Sequence, residues 1–159
     1  MRTEIPAMKT AESIVDVRRA GPEDAETVLT MVREIAALEG EASDVVSDLP
    51  AWTAMLARPE VVVLVARRDG HPAGYVSAVR RLHLWLGEDI LVLDDLYVRE
   101  GFRDAGVGRL LMLRLAALAD GTLIRWEMRE DNDAAQRFYR RLGASLRTRV
   151  IAFWRPETR

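Results

Sequence analysis

Between Ile90 and Ala119 the sequence passes from a strand-like run, through a turn carrying Gly101, Gly106 and Gly108, into a helix-like run. Ile90 to Val98 is apolar and β-prone around Asp94 and Asp95. Val107 to Ala119 is apolar on almost every side apart from Arg109 and Arg114, which predicts a helix buried on more than one face and ended near Gly121. Backbone N–H groups in a strand-to-helix turn are free to face an anion. The helix dipole adds positive potential there, and glycine lets a phosphate approach without meeting a Cβ. Gly106 and Gly108 would also serve a plain tight turn, so the two glycines alone do not separate an anion loop from a turn. No Gly-Lys-Ser or Gly-Lys-Thr follows, and the dinucleotide triplet of glycines is missing, which excludes the two commonest nucleotide loops.

Around this centre the chain alternates between the two periodicities. Ile14, Val15 and Val17 predict a short strand. Pro22, Glu23 and Asp24 suit a helix start, and Val28, Leu29, Val32, Ile35 and Ala36 recur at helical spacing until Gly40. A second helix is expected over Leu49 to Ala57. Val61 to Ala66, the Asp69-Gly70 turn and Ala73 to Leu84 read as an antiparallel hairpin, with Gly87 and Glu88 turning the chain into the Ile90 strand. Leu123 to Met128 is expected as strand. Asn132 then caps a helix carrying Ala135, Phe138, Tyr139 and Leu142, ended by Gly143, and Val150 to Trp154 is expected to close the chain as strand. The order predicts an α/β fold, a mixed sheet covered by helices, in one domain over residues 14–159 behind a flexible tail at 1–13.

Composition narrows the partners. In 159 residues, 25 acids against 23 bases leave a formal charge of −2, too little field to attract nucleic acid or an anionic membrane. Without cysteine there is neither a disulfide framework nor a thiolate metal site, and His71 and His83 have no neighbours that suggest a metal. The first 13 residues lack the apolar run of a signal peptide, and no stretch approaches the roughly 20 apolar residues of a membrane span. A cytoplasmic protein without a metal is the expectation.

Arg103-x-x-Gly106-x-Gly108, following Leu93-Asp94-Asp95-Leu96-Tyr97-Val98, resembles the acetyl-CoA pyrophosphate motif of the GNAT superfamily of N-acetyltransferases. The likeness continues into Asn132-x-x-Ala135-x-x-Phe138-Tyr139-x-x-x-Gly143-Ala144. Within that superfamily the chain is most similar to the spermidine/spermine and thialysine branch. The stretch Val32 to Glu39, the Trp85-Leu86-Gly87 turn and the Phe138 to Ala144 segment carry that similarity. The resemblance implies a mixed, mostly antiparallel central sheet flanked by helices, and acetyl-CoA as co-substrate. Leu96, Tyr97 and Val98 would pair by backbone with the pantetheine arm, as an added strand does. Arg103, Asp104, Ala105, Gly106, Val107, Gly108 and Arg109 would hold the pyrophosphate. Asn132 and Arg141 match cofactor contacts; Leu38, Glu39, Trp85 and Asp94 match the acceptor side. The branch also implies a homodimer, for which Phe153 and Trp154 are suited. Arg147, Arg149 and Ile151 stand where the polyamine enzymes carry an acidic residue, which argues against a long polycationic acceptor.

The implied chemistry is acetyl transfer to a primary amine, a small diamine or amino-acid-like molecule. An aminoglycoside or protein-lysine acetyltransferase, or an acetyl-CoA-binding protein without turnover, are the alternatives. An ammonium must lose a proton before it attacks a thioester, and Asp94 is the candidate base, unless it pairs with Arg80 or Arg81. Strict alternation sends Asp94 and Asp95 to opposite faces unless a bulge intervenes. A backbone N–H near Leu96 suits the oxyanion. Tyr139 is the candidate acid: a phenol of pKa about 10 lies close enough to a thiol's roughly 8.5 to protonate a leaving thiolate. Packing beside Phe138 is its competing role.

Overall fold

β-Branched runs and turn residues build most of a five-stranded sheet. The structure, a computed structural model, describes residues 14–158, so the tail expected at 1–13 lies outside the described residues. The chain falls into two compact units, one ending at Trp126 and the other beginning at Glu127. In the first, the elements are β1 (Val15–Arg19), α1 (Ala25–Leu38), α2 (Leu49–Leu56), β2 (Val61–Arg68), β3 (His71–His83), β4 (Glu88–Val98), α3 (Val107–Ala119) and β5 (Ile124–Arg125). The strands lie in sequence order, antiparallel from β1 to β4, with β5 parallel to β4. The sheet is therefore mixed and mostly antiparallel, as expected.

Helices cover both faces because both faces of the central strands are apolar. Val28, Met31 and Val32 of α1 and Leu56 of α2 pack with Val63, Val65, Tyr75 and Tyr97. By alternation Val62, Leu64, Ala66, Val76 and Ala78 turn to the other face, and all five are buried. That face takes α3, which contacts β1 through β4 and buries Val107, Leu111, Met112, Leu115 and Ala119. The helix expected from Pro22 starts as a 3-10 turn, Pro22–Asp24, before α1. Asp24 spends its carboxylate on the Gly21 N–H at 3.0 Å and the Arg67 guanidinium at 3.0 Å. α1 ends in a paired turn, Gly40 N–H to the Ala37 carbonyl and Glu41 N–H to the Ala36 carbonyl, which sets Leu38 and Glu39 at its exposed tip.

The second unit holds α4 (Asp133–Arg141). Asn132 caps it, its Oδ1 accepting the Ala135 N–H at 3.1 Å. At the other end the Gly143 N–H donates to the Arg140 carbonyl and the Ala144 N–H to the Tyr139 carbonyl. Two expected strands differ here. Leu123 to Met128 contributes only the two residues of β5, and Val150 to Trp154 forms no strand. β-Propensity describes how well a side chain fits a pleated surface, and without a ladder partner it does not make a strand. Val150, Phe153 and Trp154 stand 98%, 91% and 88% exposed.

Gly74 sets the closest approach between β3 and β4. A Cβ there would meet the Tyr97 carbonyl oxygen, with Val98 Cα at 3.1 Å. Gly74→Ala should therefore lower stability by about 1–3 kcal/mol, the usual cost of overpacking, measured by urea unfolding.

Candidate active site

The strand β4 is uneven, and its irregularity decides which backbone groups are open. Ser77 pairs with Asp95 and Ala78 with Leu93, so Asp94 is an extra residue in β4. Ahead of this bulge the Leu91 N–H faces β5 and bonds the Leu123 carbonyl at 3.0 Å. Beyond it the Arg99 N–H faces β3 and bonds the Ala73 carbonyl at 2.8 Å. Antiparallel alternation then puts Tyr97 on the β3 side and turns the N–H and C=O groups of Leu96 and Val98 to the β5 side. β5 pairs with β4 only at Leu91 and Val92. The edge at Leu96 and Val98 is thus available to an added extended chain, whereas the backbone of Tyr97, expected to share in such pairing, is taken up on the β3 side. The Val98 carbonyl accepts a hydrogen bond from Arg103 Nε at 3.0 Å, bringing the loop's arginine to that edge.

The loop that follows has the backbone of an anion site. Asp104 and Gly106 both take positive φ, +62° and +75°. Aspartate tolerates this conformation and glycine adopts it without strain. Gly106 is the N-cap of α3 and supplies no side-chain acceptor; its carbonyl takes the Leu110 N–H at 3.0 Å. The N–H groups of Val107, Gly108 and Arg109 precede the first intrahelical bond and lie at the positive end of the dipole. Ala105 completes the turn between the two positive-φ residues. This backbone, with Arg103, fits a pyrophosphate.

The bulge also governs the two carboxylates. Asp95 accepts the Tyr75 hydroxyl at 2.9 Å, and its own N–H donates to Ser77 Oγ at 3.1 Å. Asp94 carries no ion pair to Arg80 or Arg81; Arg80 instead donates to the Leu118 carbonyl at 3.3 Å. The side chain of Asp94 remains open to solvent, yet the protein packed around it raises its carboxyl above the ordinary range, and the charge of Asp95 adds to the rise. Burial, reinforced by Asp95, pushes the Tyr75 hydroxyl far up, and the Glu39 carboxylate contributes to that shift. Glu39, Tyr75, Asp95 and Asp94 therefore share one electrostatic neighbourhood. Trp85 sits at the tip of the β3–β4 turn, 96% exposed.

Sequence reasoning did not single out Glu34, Tyr75, Ser77 or Arg99. The Glu34 carboxylate accepts the Tyr97 hydroxyl at 3.0 Å and two Arg99 bonds at 3.0 and 2.7 Å. Arg99 holds the Glu34 carboxyl below the usual range against the opposing effect of burial. An arginine directly after the strand was the available signal. In the second unit Tyr139 is buried on α4, edge-on to Phe138 with centroids 5.2 Å apart. Asn132 uses its amide oxygen as the helix cap, keeping its NH2 group for another acceptor. Arg141 ends α4 and is exposed. An open depression of about 600 Å3 lined by Asp16, Arg18, Asp24 and Arg67 lies at β1, the opposite edge of the sheet, and contains none of the expected residues. Among the described residues no group of three or more metal-ligating side chains occurs, and no helix is long and apolar enough to cross a membrane.

A mixed sheet whose bulged strand opens one edge and runs into a glycine loop at a helix start defines the GNAT class of acyl-transfer folds. The profile of the Acetyltransferase (GNAT) family matches residues 29–144, and the chain belongs to that family. A thialysine N-epsilon-acetyltransferase of Caenorhabditis elegans is 32% identical over 107 residues, 67% of this chain and 66% of that protein. The chain thus spans a little under two thirds of that relative's length. The fold is similar to that of an aminoglycoside acetyltransferase from an uncultured soil metagenomic sample in complex with sisomicin, with TM-score 0.76, 16% identity and coverage of 91% and 97% of the two chains. It is also similar to aminoglycoside N-acetyltransferase AAC(6')-Iy in complex with CoA, with TM-score 0.74, 19% identity and coverage of 95% and 100%.

The raised carboxyl has a thermodynamic consequence. A carboxyl with an ordinary value of 3.8 that is raised on folding favours the folded state below that value. That contribution is lost as pH climbs through the folded value. Asp94→Asn should therefore melt higher than the parent at neutral pH, with the difference closing as pH falls below about 4, read from melting temperatures across pH.

Proposed function

We propose that this protein transfers the acetyl group of acetyl-CoA to a primary amine, a small diamine or amino-acid-like acceptor, through one acetyltransferase domain over residues 14–159. The observation that carries the reading is the β4 edge, opened by the Asp94 bulge and continuous with the anion loop before α3. Of the stretch Leu96, Tyr97 and Val98, the outward backbone groups of Leu96 and Val98 receive the pantetheine arm while Tyr97 stays turned to β3, and Arg103 through Arg109 receive the pyrophosphate, with Asn132 and Arg141 as further donors to the co-substrate. The family match runs from residue 29 to residue 144 and so reaches from the first compact unit into the second, which supports a single domain.

The acceptor arrives as an ammonium and is drawn by Glu39 beside Leu38 and by the two aspartates, with Trp85 as an apolar surface for its alkyl part. Asp94 takes the proton, directly or through water. The freed nitrogen attacks the thioester carbonyl, and the Leu96 region's N–H stabilises the oxyanion. The carbon–sulfur bond breaks, and Tyr139 protonates the departing thiolate. A raised carboxyl suits this base because its conjugate acid lies nearer the working pH. The name of the nematode relative supports an amino-acid-like amine, and Arg147 and Arg149 support a short acceptor over a long polycation.

Release of free thiol from acetyl-CoA across thialysine, lysine, short diamines, spermidine and an aminoglycoside tests the reading, and no turnover with any of them would sink it. With the best acceptor, Tyr139→Phe should lower kcat about 100- to 10,000-fold while acetyl-CoA affinity holds. Turnover within about twofold of the parent would leave Tyr139 as a packing residue.

We also infer a homodimer. The exposed Val150, Phe153 and Trp154 support it, since aromatic side chains of this kind concentrate at interface cores. Light scattering at micromolar concentration should give twice the 17.9 kDa chain mass, and a monomeric mass would refute it.

A further inference from the structure

Tyr97 has two separate tasks on β4. Its neighbours Leu96 and Val98 present the open edge, while its ring lies buried against Tyr75, centroids 6.2 Å apart at 67°. Its hydroxyl reaches across to α1 and donates to Glu34 Oε2 at 3.0 Å. The same carboxylate holds Arg99 in a two-pronged pair, and Arg99 Nη1 donates on to the Pro72 carbonyl at 3.2 Å. One carboxylate and one guanidinium therefore join α1, the start of β3 and the end of β4. Both partners are roughly a third or less exposed, 28% for Arg99 and 35% for Glu34, so the pair is only partly screened. Bidentate arginine–carboxylate geometry fixes direction as well as distance. Beyond Val92, where β5 stops, β4 has ladder hydrogen bonds among the described residues on the β3 side alone, so the fork adds a directed polar tie to the packing of the Tyr97 ring.

We propose that Glu34 and Arg99 are positioning residues for the acyl donor: through the Tyr97 hydroxyl and the chain direction after Val98 they hold the Leu96–Val98 edge in the register that receives an extended amide-bearing chain. The proposal rests on the reading of that edge as the acetyl-CoA strand. Neither residue touches donor or acceptor. Their effect is on the order of the strand, which is where preorganisation is won or lost: a misplacement near 1 Å costs about 100-fold in favourable cases.

The test compares Glu34→Ala, Glu34→Gln and Tyr97→Phe by calorimetric titration with acetyl-CoA, alongside melting temperature and steady-state kinetics with the best acceptor. Glu34→Ala should weaken acetyl-CoA binding and raise its KM about tenfold, with kcat at saturation changing less. Glu34→Gln keeps one acceptor oxygen and the side-chain volume, so it should recover part of the loss. Tyr97→Phe removes only the hydroxyl and should fall between the parent and Glu34→Ala. A fork that merely stabilises the fold would lower the melting temperature of all three while acetyl-CoA affinity and KM stay at parental values, and that result overturns the proposal. Should Glu34→Ala fail to fold, Tyr97→Phe decides: parental affinity there overturns it as well. Failure of the parent itself to bind acetyl-CoA would instead sink the reading of the edge, so the two failures are distinct.

Discussion

A single extra residue in β4 organises the rest of the site. Were the strand regular, the backbone groups that face β5 at Leu91 would be followed at alternate positions by Leu93, Asp95 and Tyr97. The insertion at Asp94 shifts that parity, so Leu96 and Val98 face outward and Tyr97 turns its backbone to β3. Because β5 is only two residues long, the outward groups lie beyond its reach. An open edge on an interior strand is normally a liability that a fold covers or blunts. Here it leads, through a 3-10 turn at Glu100–Phe102, into the Arg103–Gly108 loop and the first N–H groups of α3.

The same bulge gathers acid. Two neighbouring aspartates come within each other's electrostatic influence, and they are not equivalent. Asp95 is tied by the Tyr75 hydroxyl and by its own N–H to Ser77, which fixes it in place. Asp94 keeps its carboxylate unbonded, and the partial desolvation by the protein packed around it and the charge of Asp95 both favour its protonated form. One carboxylate is tied into the sheet and the other has no hydrogen bond among the described residues. Glu39, at the carboxyl end of α1, adds a third negative charge felt at the same tyrosine. At the hydroxyl of Tyr97, Glu34 is paired with Arg99, so acid there serves attachment.

The loop and α3 were legible because their requirements are local. Glycine at a positive-φ cap, an arginine ahead of it and an apolar helix behind it announce themselves in a stretch of about a dozen residues. The start of α4 was readable from its cap, Asn132, and α2 and α3 begin at Leu49 and Val107 where they were expected, with Asp48 and Gly106 as the caps that the structure reveals. Misjudged were elements whose existence depends on a distant partner. Val150 to Trp154 has the composition of a strand and no ladder to join. Leu123 to Met128 has one, but only where β4 still faces it. Trp85, which the resemblance put on the acceptor side, stands exposed at a hairpin tip, a place that the pairing of β3 with β4 decides.

By itself the sequence determined the order of strands and helices as far as α4, the mixed sheet and the glycine turn ahead of α3, because short-range periodicity, capping and glycine placement encode them, whereas the roles expected of the residues from Asp94 through Arg109 came from the family resemblance. Tertiary structure alone decided the bulge, and with it which backbone groups of β4 are open and which aspartate is tied. It also decided the fork of Glu34, Tyr97 and Arg99, whose members lie 63 and 65 residues apart in the chain. The physical reason is that register and ion pairing are set by the packing of separate elements: an inserted residue in β4 shows only against β3, and a carboxylate on α1 finds its guanidinium only once both helix and sheet are in place.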